Sequence, residues 1–193
     1  IGAVLFIQFP PLAKNVLHAS KEVASLFLVV FSIGVAIGSM SVNALLKGTV
    51  SARYSPGSVI VMGLFVVGFF LVCRAWTPDR GQGLLDVGRF LAEPLAIPLL
   101  LTLLGIAVAG GMFVVPLYAF LTTFVDKSQT SRTIAANNIV NSGAMVIGSV
   151  IAIGLSAAGV AIVDQLLLGA AMCLYSAYLG RQLVSAERAA QAM

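Results

Sequence analysis

Asn137, Asn138 and Asn141 place three carboxamides within five residues of SRTIAANNIVNSGAMVIGS (131–149), with apolar sequence before and after them. A carboxamide is not a bond-making group. It donates and accepts hydrogen bonds without a charge to desolvate. Residues three and four apart share a helix face, so the three amides form one broad polar face, flanked by Ser142. In hydrocarbon such a face needs a protein or water partner. Two uses remain open: hydrogen bonds between helices, worth about 0.6 kcal/mol each, or the polar wall of a passage. Gln8, two residues ahead of Pro10–Pro11, is a second amide in apolar sequence, and two such foci favour a shared central cavity. Tyr118, Tyr175 and Tyr178 would either line that cavity or anchor the membrane interfaces.

Bond-making chemistry finds little support. His18 is the only histidine, and Lys21 and Glu22 beside it point to a solvated turn. No HxxxxD, HExxH or GxSxG occurs; GLSAA at 154–158 breaks the last pattern. Cys73 and Cys173 each stand alone in apolar sequence, without metal-ligand spacing. No catalytic residue, metal or cofactor is therefore expected on this segment. A net charge of +4 spread over several loops, without a basic cluster interleaved with aromatics, excludes a nucleic-acid surface.

The elements that position the amides follow from composition. The chain is 60% hydrophobic and 9% charged, with a mean hydropathy of +1.05. Soluble domains carry roughly 25% charged residues, so the chain reads as an integral membrane protein. Charge-free windows run 1–13, 23–46, 54–73, 94–125, 133–163 and 165–180. About 20 apolar residues cross the hydrocarbon core, and four windows reach that length unaided. The first and last extend past Lys14 and toward Leu183. The expectation is an all-α protein of six spans, about 1–17, 23–46, 56–76, 95–124, 135–160 and 163–183. The longest connection, 77–94, reads equally as a short amphipathic interfacial helix or a solvated loop. The chain opens at Ile1 inside an apolar run and without an initiator Met, so an internal piece of a longer protein is expected.

Three spans before the long connection and three after it match one half of a carrier built from 3+3 inverted repeats. Pro10, Pro11 and Pro116 lie inside spans, where each removes a backbone hydrogen bond and kinks the helix. Gly34 and Gly38 form a GxxxG pair; Gly105, Ala109, Gly148, Ala152 and Ser156 supply small residues elsewhere, which suits close helix packing. Lys47, Arg53, Lys127, Arg132, Arg181 and Arg188 fall at one set of ends, and Lys14, Lys21, Arg74, Arg80 and Arg89 at the other. That balance gives only a slight preference for the first set as cytoplasmic. No charge sits mid-span, so an ionisable coupling group is expected elsewhere; Asp164 is the nearest candidate.

GGMFVVPLYAFL (110–121) with SRTIAANNIVNSGAMVIGS resembles the tenth and eleventh helices of lysophospholipid transporters of the major facilitator superfamily. IGAVLFIQFPPLAKNVL and SLFLVVFSIGVAIGSMSVNALLKG resemble their seventh and eighth. The resemblance covers nearly the whole chain, as the C-terminal six-helix half, and is closest to the form fused to a 2-acyl-glycerophosphoethanolamine acyltransferase. It implies inward movement of lysophospholipids across the bacterial inner membrane by alternating access, followed by re-acylation. It also implies a missing N-terminal six-helix half, and an acyltransferase following or associated. The substrate pathway would then include Gln8, Lys14, Tyr118, Asn137, Asn138 and Asn141. Some members of that family carry a basic side chain on the helix where this chain has Gln8. The neutral amide weakens phosphate attraction there, and Lys14 is either a substitute cation or an interfacial snorkeler. A carrier of another small or amphipathic substrate and an acyltransferase-associated scaffold remain as alternatives.

Overall fold

The structure, a computed structural model, describes residues 2–47, 51–77, 83–123 and 125–191. Part of the 77–94 connection, with Arg80, lies outside them. Among the described residues seven helices follow one another: α1 (Gly2–Asn15), α2 (Lys21–Leu46), α3 (Ser55–Ala75), α4 (Val87–Ala92), α5 (Ala96–Thr123), α6 (Thr130–Ala157) and α7 (Ile162–Gln191). Five of them, all but α1 and α4, are long and apolar enough to cross a membrane. The sixth expected span is α1. Its 14 residues cover about 21 Å, short of a core of about 30 Å. It ends at Asn15 because the chain then turns through His18, whose φ of 53° lies in the left-handed region.

The helix boundaries have local causes. Pro56 sits in the first turn of α3, where its missing N–H costs nothing. Lys47 closes α2 in the left-handed conformation, its N–H bonded to the Ala44 carbonyl. Within the 77–94 connection, the Asp86 carboxylate accepts the Arg89 N–H at 2.8 Å and starts α4. α1 stays helical through Pro10 and Pro11, and α5 through the buried Pro116.

Successive spans run in alternating directions, which collects the turns at two ends. At the first end the α1–α2 turn meets the segment before α4: Ser20 and Leu85 donate to the Leu85 and His18 carbonyls, each at 2.9 Å, around a bridge between Ala19 and Leu85. Arg74 and Asp164 approach to 3.6 Å at the same end. At the second end the Glu187 carboxylate of α7 accepts the Ala52 N–H, just before α3, at 3.2 Å. Lys47, Arg53, Lys127 and Arg132 belong to this second end.

A core of apolar side chains joins α1, α2, α3, α4, α5 and α7. Toward the first end it is aromatic. Phe27 meets Phe9 and Phe90 edge-on, with ring centroids 5.9 and 5.8 Å apart, and Trp76 stacks on Phe90 at 5.5 Å. The α2–α5 seam is made by absent side chains. A Cβ on Gly34 would lie 2.5 Å from the Ala107 Cβ, and one on Gly38 would collide with the Val108 carbonyl. Gly111 answers from α5, its position 2.6 Å from the Val35 carbonyl oxygen. α3 approaches α7 similarly, through Gly63 against Cys173 and Pro56 against Gly180.

Candidate functional site

α6 is built differently from its neighbours: none of its residues is buried. Its half-buried positions, Thr130, Thr133, Ile134, Asn137, Gly148, Ser149, Ala152 and Leu155, fall at helical spacing and mark the stripe turned toward the bundle. That stripe is interrupted. From Asn138 to Ile147 every residue is exposed, including Ile139 at 73% and Val140 at 70%. The middle of the helix stands clear of the bundle. Asn141 lies 11 residues beyond Thr130, about 16 Å along a helix of about 42 Å. Asn137 is half-buried at the edge of the contact; Asn138 and Asn141, with Ser142, are exposed. Among the described residues none of the three carboxamides makes a side-chain hydrogen bond.

Hydrocarbon would tolerate Ile139 and Val140 in that position but not the amides. An amide transferred to an apolar medium without a partner costs about 2–7 kcal/mol depending on reference state. The same ten-residue stretch therefore offers hydrogen-bonding groups beside apolar ones, neither engaged by the bundle.

Gln8 is placed elsewhere. It is buried, and its Nε2 donates to Gln165 Oε1 at 3.1 Å; Gln165 Nε2 donates in turn to Ser156 Oγ at 2.9 Å and to the Val160 carbonyl at 3.3 Å. This amide ladder ties α1 to α7 and to the last turn of α6. Ser156 is 15 residues beyond Asn141, about 22 Å along the same helix. The structure thus brings Gln8 together with Gln165 and Ser156, not with the asparagines. Gln165 was not singled out from the sequence, because Asp164 beside it marks a turn. The signal was nonetheless the one that marked Gln8: an amide within a charge-free window.

Lys14 is exposed in the last turn of α1, where a cation suits the negative end of the helix dipole. It belongs to the first end, as the ladder does. Tyr118, 43% exposed on α5, is five residues before Thr123, and Asn137 is seven after Thr130 across the α5–α6 turn. At 1.5 Å per residue the two lie at depths differing by about 3 Å. Tyr175 and Tyr178 point outward from α7, 65% and 59% exposed. Pro116 is buried within α5, two residues before Tyr118; Pro10 is exposed and Pro11 half-buried in α1.

The acidic groups are now located as well. Asp164 is exposed in the first turn of α7 against Arg74, a pairing worth about 0–1 kcal/mol in solvent. Among the described residues Glu187 is the buried carboxylate, 8% exposed and held by the Ala52 N–H.

Comparison with protein-family models, with curated proteins and with solved structures finds no match.

Proposed function

We propose that the chain is one six-helix half of a major facilitator carrier, with α1 as the sixth membrane helix. Its cargo is a lysophospholipid of the lysophosphatidylethanolamine type, moved from the outer to the inner leaflet of the bacterial inner membrane by alternating access. Re-acylation follows on an acyltransferase fused to or associated with the chain, and this segment itself carries no catalytic role. The single observation that supports the reading is the open middle of α6, where Asn138 and Asn141 stand at mid-depth with no partner from the bundle. A second six-helix half would face this stretch and close a passage around it. Inside, the carboxamides would meet a zwitterionic headgroup without a full charge to desolvate. Ile139 and Val140, on the same stretch, suit the single tail of an amphipathic cargo. Asn137, Asn138, Asn141 and Tyr118 form the wall in this reading. Gln8 acts behind it, fixing α1 against α6 and α7, and Lys14 serves at the first end.

The test uses vesicles bearing the complete protein. Changing Asn137, Asn138 and Asn141 together to Leu is expected to abolish lysophosphatidylethanolamine flipping while insertion and stability hold, since no bundle hydrogen bond is lost. Flipping at the parent rate would remove the amide wall. Loss of stability together with flipping would assign the asparagines to packing instead. A carrier of a water-soluble solute is separated by competition: excess lysophospholipid leaves such transport untouched.

A further inference from the structure

α3 and α5 part on their outer side around a groove of about 580 Å³ with almost wholly apolar walls. Two glycines make it. Gly57, at its mouth, has nothing within 4 Å of where a Cβ would stand, and Gly105 lets the Phe65 ring lie 2.5 Å from its own Cβ position. Val61, Phe65 and Leu101 line the groove and are themselves 44%, 38% and 58% exposed, so its long side is open.

The depth of the groove is informative. α3 has 21 residues, about 31 Å, which matches the hydrocarbon core and puts its start at the interface. From Tyr54, at that start, to Phe65 is 11 residues, about 16 Å, the depth of one leaflet. At the mouth the charge changes. The Arg53 guanidinium lies 5.1 Å from the centroid of the Tyr54 ring, and the residue is exposed. An exposed guanidinium at this level lies beside the headgroup layer, where phosphate is the complementary anion.

We infer that this groove binds one acyl chain of a bilayer phospholipid, with the lipid phosphate held by Arg53. Apolar walls one leaflet deep take the chain, Tyr54 sits at the level of the ester region as interfacial aromatics do, and the cation ends the site. The occupant is a diacyl phospholipid of the surrounding leaflet, not cargo, and the site lies on the α3–α5 face rather than on α6.

Photo-crosslinking tests this in vesicles holding the complete protein. One probe is a phosphatidylglycerol with a diazirine in mid-chain; the other is a diacylglycerol with the same tail and no phosphate. The phospholipid is expected to label Phe65 and Leu101, with about a fivefold advantage over the diacylglycerol, the scale of one basic residue at an anionic surface. Arg53→Gln should erase that advantage. Gly57→Phe, which has open space to enter, should remove groove labelling by both probes while flipping persists. Equal labelling by the two probes, an Arg53→Gln variant with its advantage intact, or adducts spread evenly over Leu64, Leu71 and Val29 would each overturn the proposal. So would protection of the groove by a protein partner.

Discussion

Leu in place of Gln165 would leave the Gln8 carboxamide inside the bundle without its acceptor. A buried polar group stripped of its partner costs about 1–3 kcal/mol, more than the pairwise energy of about 0.6 kcal/mol typical of hydrogen bonds between membrane helices. Gln165→Leu and Gln8→Leu are therefore each expected to destabilise the protein by about 1–3 kcal/mol. The double variant should lose less than the sum, because it leaves neither amide stranded. Unfolding of the complete protein in bicelles measures this, and strictly additive losses would show that the two amides do not depend on each other. The asparagines of α6 should behave in the opposite way, with function lost and stability kept. At this scale the sequence was legible in residue type and not in partner. A carboxamide in an apolar window announces a need, while the distance between Gln8 and Gln165 in the chain hides how it is met.

Helix pairs carry their information in what is missing. A Cβ at Gly38 would meet backbone, the Val108 carbonyl, which cannot rotate away as a side chain can. Gly38→Val is expected to cost about 1–3 kcal/mol through overpacking or to separate α2 from α5. Gly57→Ala, with open space around it, should be silent in the same unfolding measurement. Gly34 and Gly38 were readable from their spacing, since four residues is the repeat of one helix face. Gly111 is their partner across the seam, a pairing that spacing along one helix does not show. Five of the windows fall on helices long and apolar enough to cross a membrane, while the expected span 1–17 runs past the end of α1 at Asn15, because the left-handed residue at His18 carries no pattern of its own. α4 shows the converse: the sequence left helix and loop equally open, and the Asp86 cap decided for six residues of helix.

At the scale of the molecule, the close seams join α5 to α2 and α3, and α3 to α7, whereas α6 touches the bundle only along an interrupted stripe. Among the described residues, the contacts that join one element to another are also unequally shared between the ends. The first end has the Ala19–Leu85 bridge, the Phe27–Phe90–Trp76 stack, the amide ladder and an ion pair. The second has the Glu187–Ala52 bond and the contact of Pro56 with Gly180. Fluctuation of a body fastened this way concentrates where the fasteners are few. Backbone hydrogen exchange on the complete protein should accordingly find the amides of Ser20 and Leu85 slower than that of Ala52. Equal rates would mean that the two ends are held alike.

The Glu187–Ala52 bond, modest by itself, then sets a direction. Among the described residues the bundle is laced at one rim and more lightly tied at the other, so it yields as a wedge, its mouth beside Glu187. Solvent creeping toward Asn141 would come from that side before the opposite rim had moved.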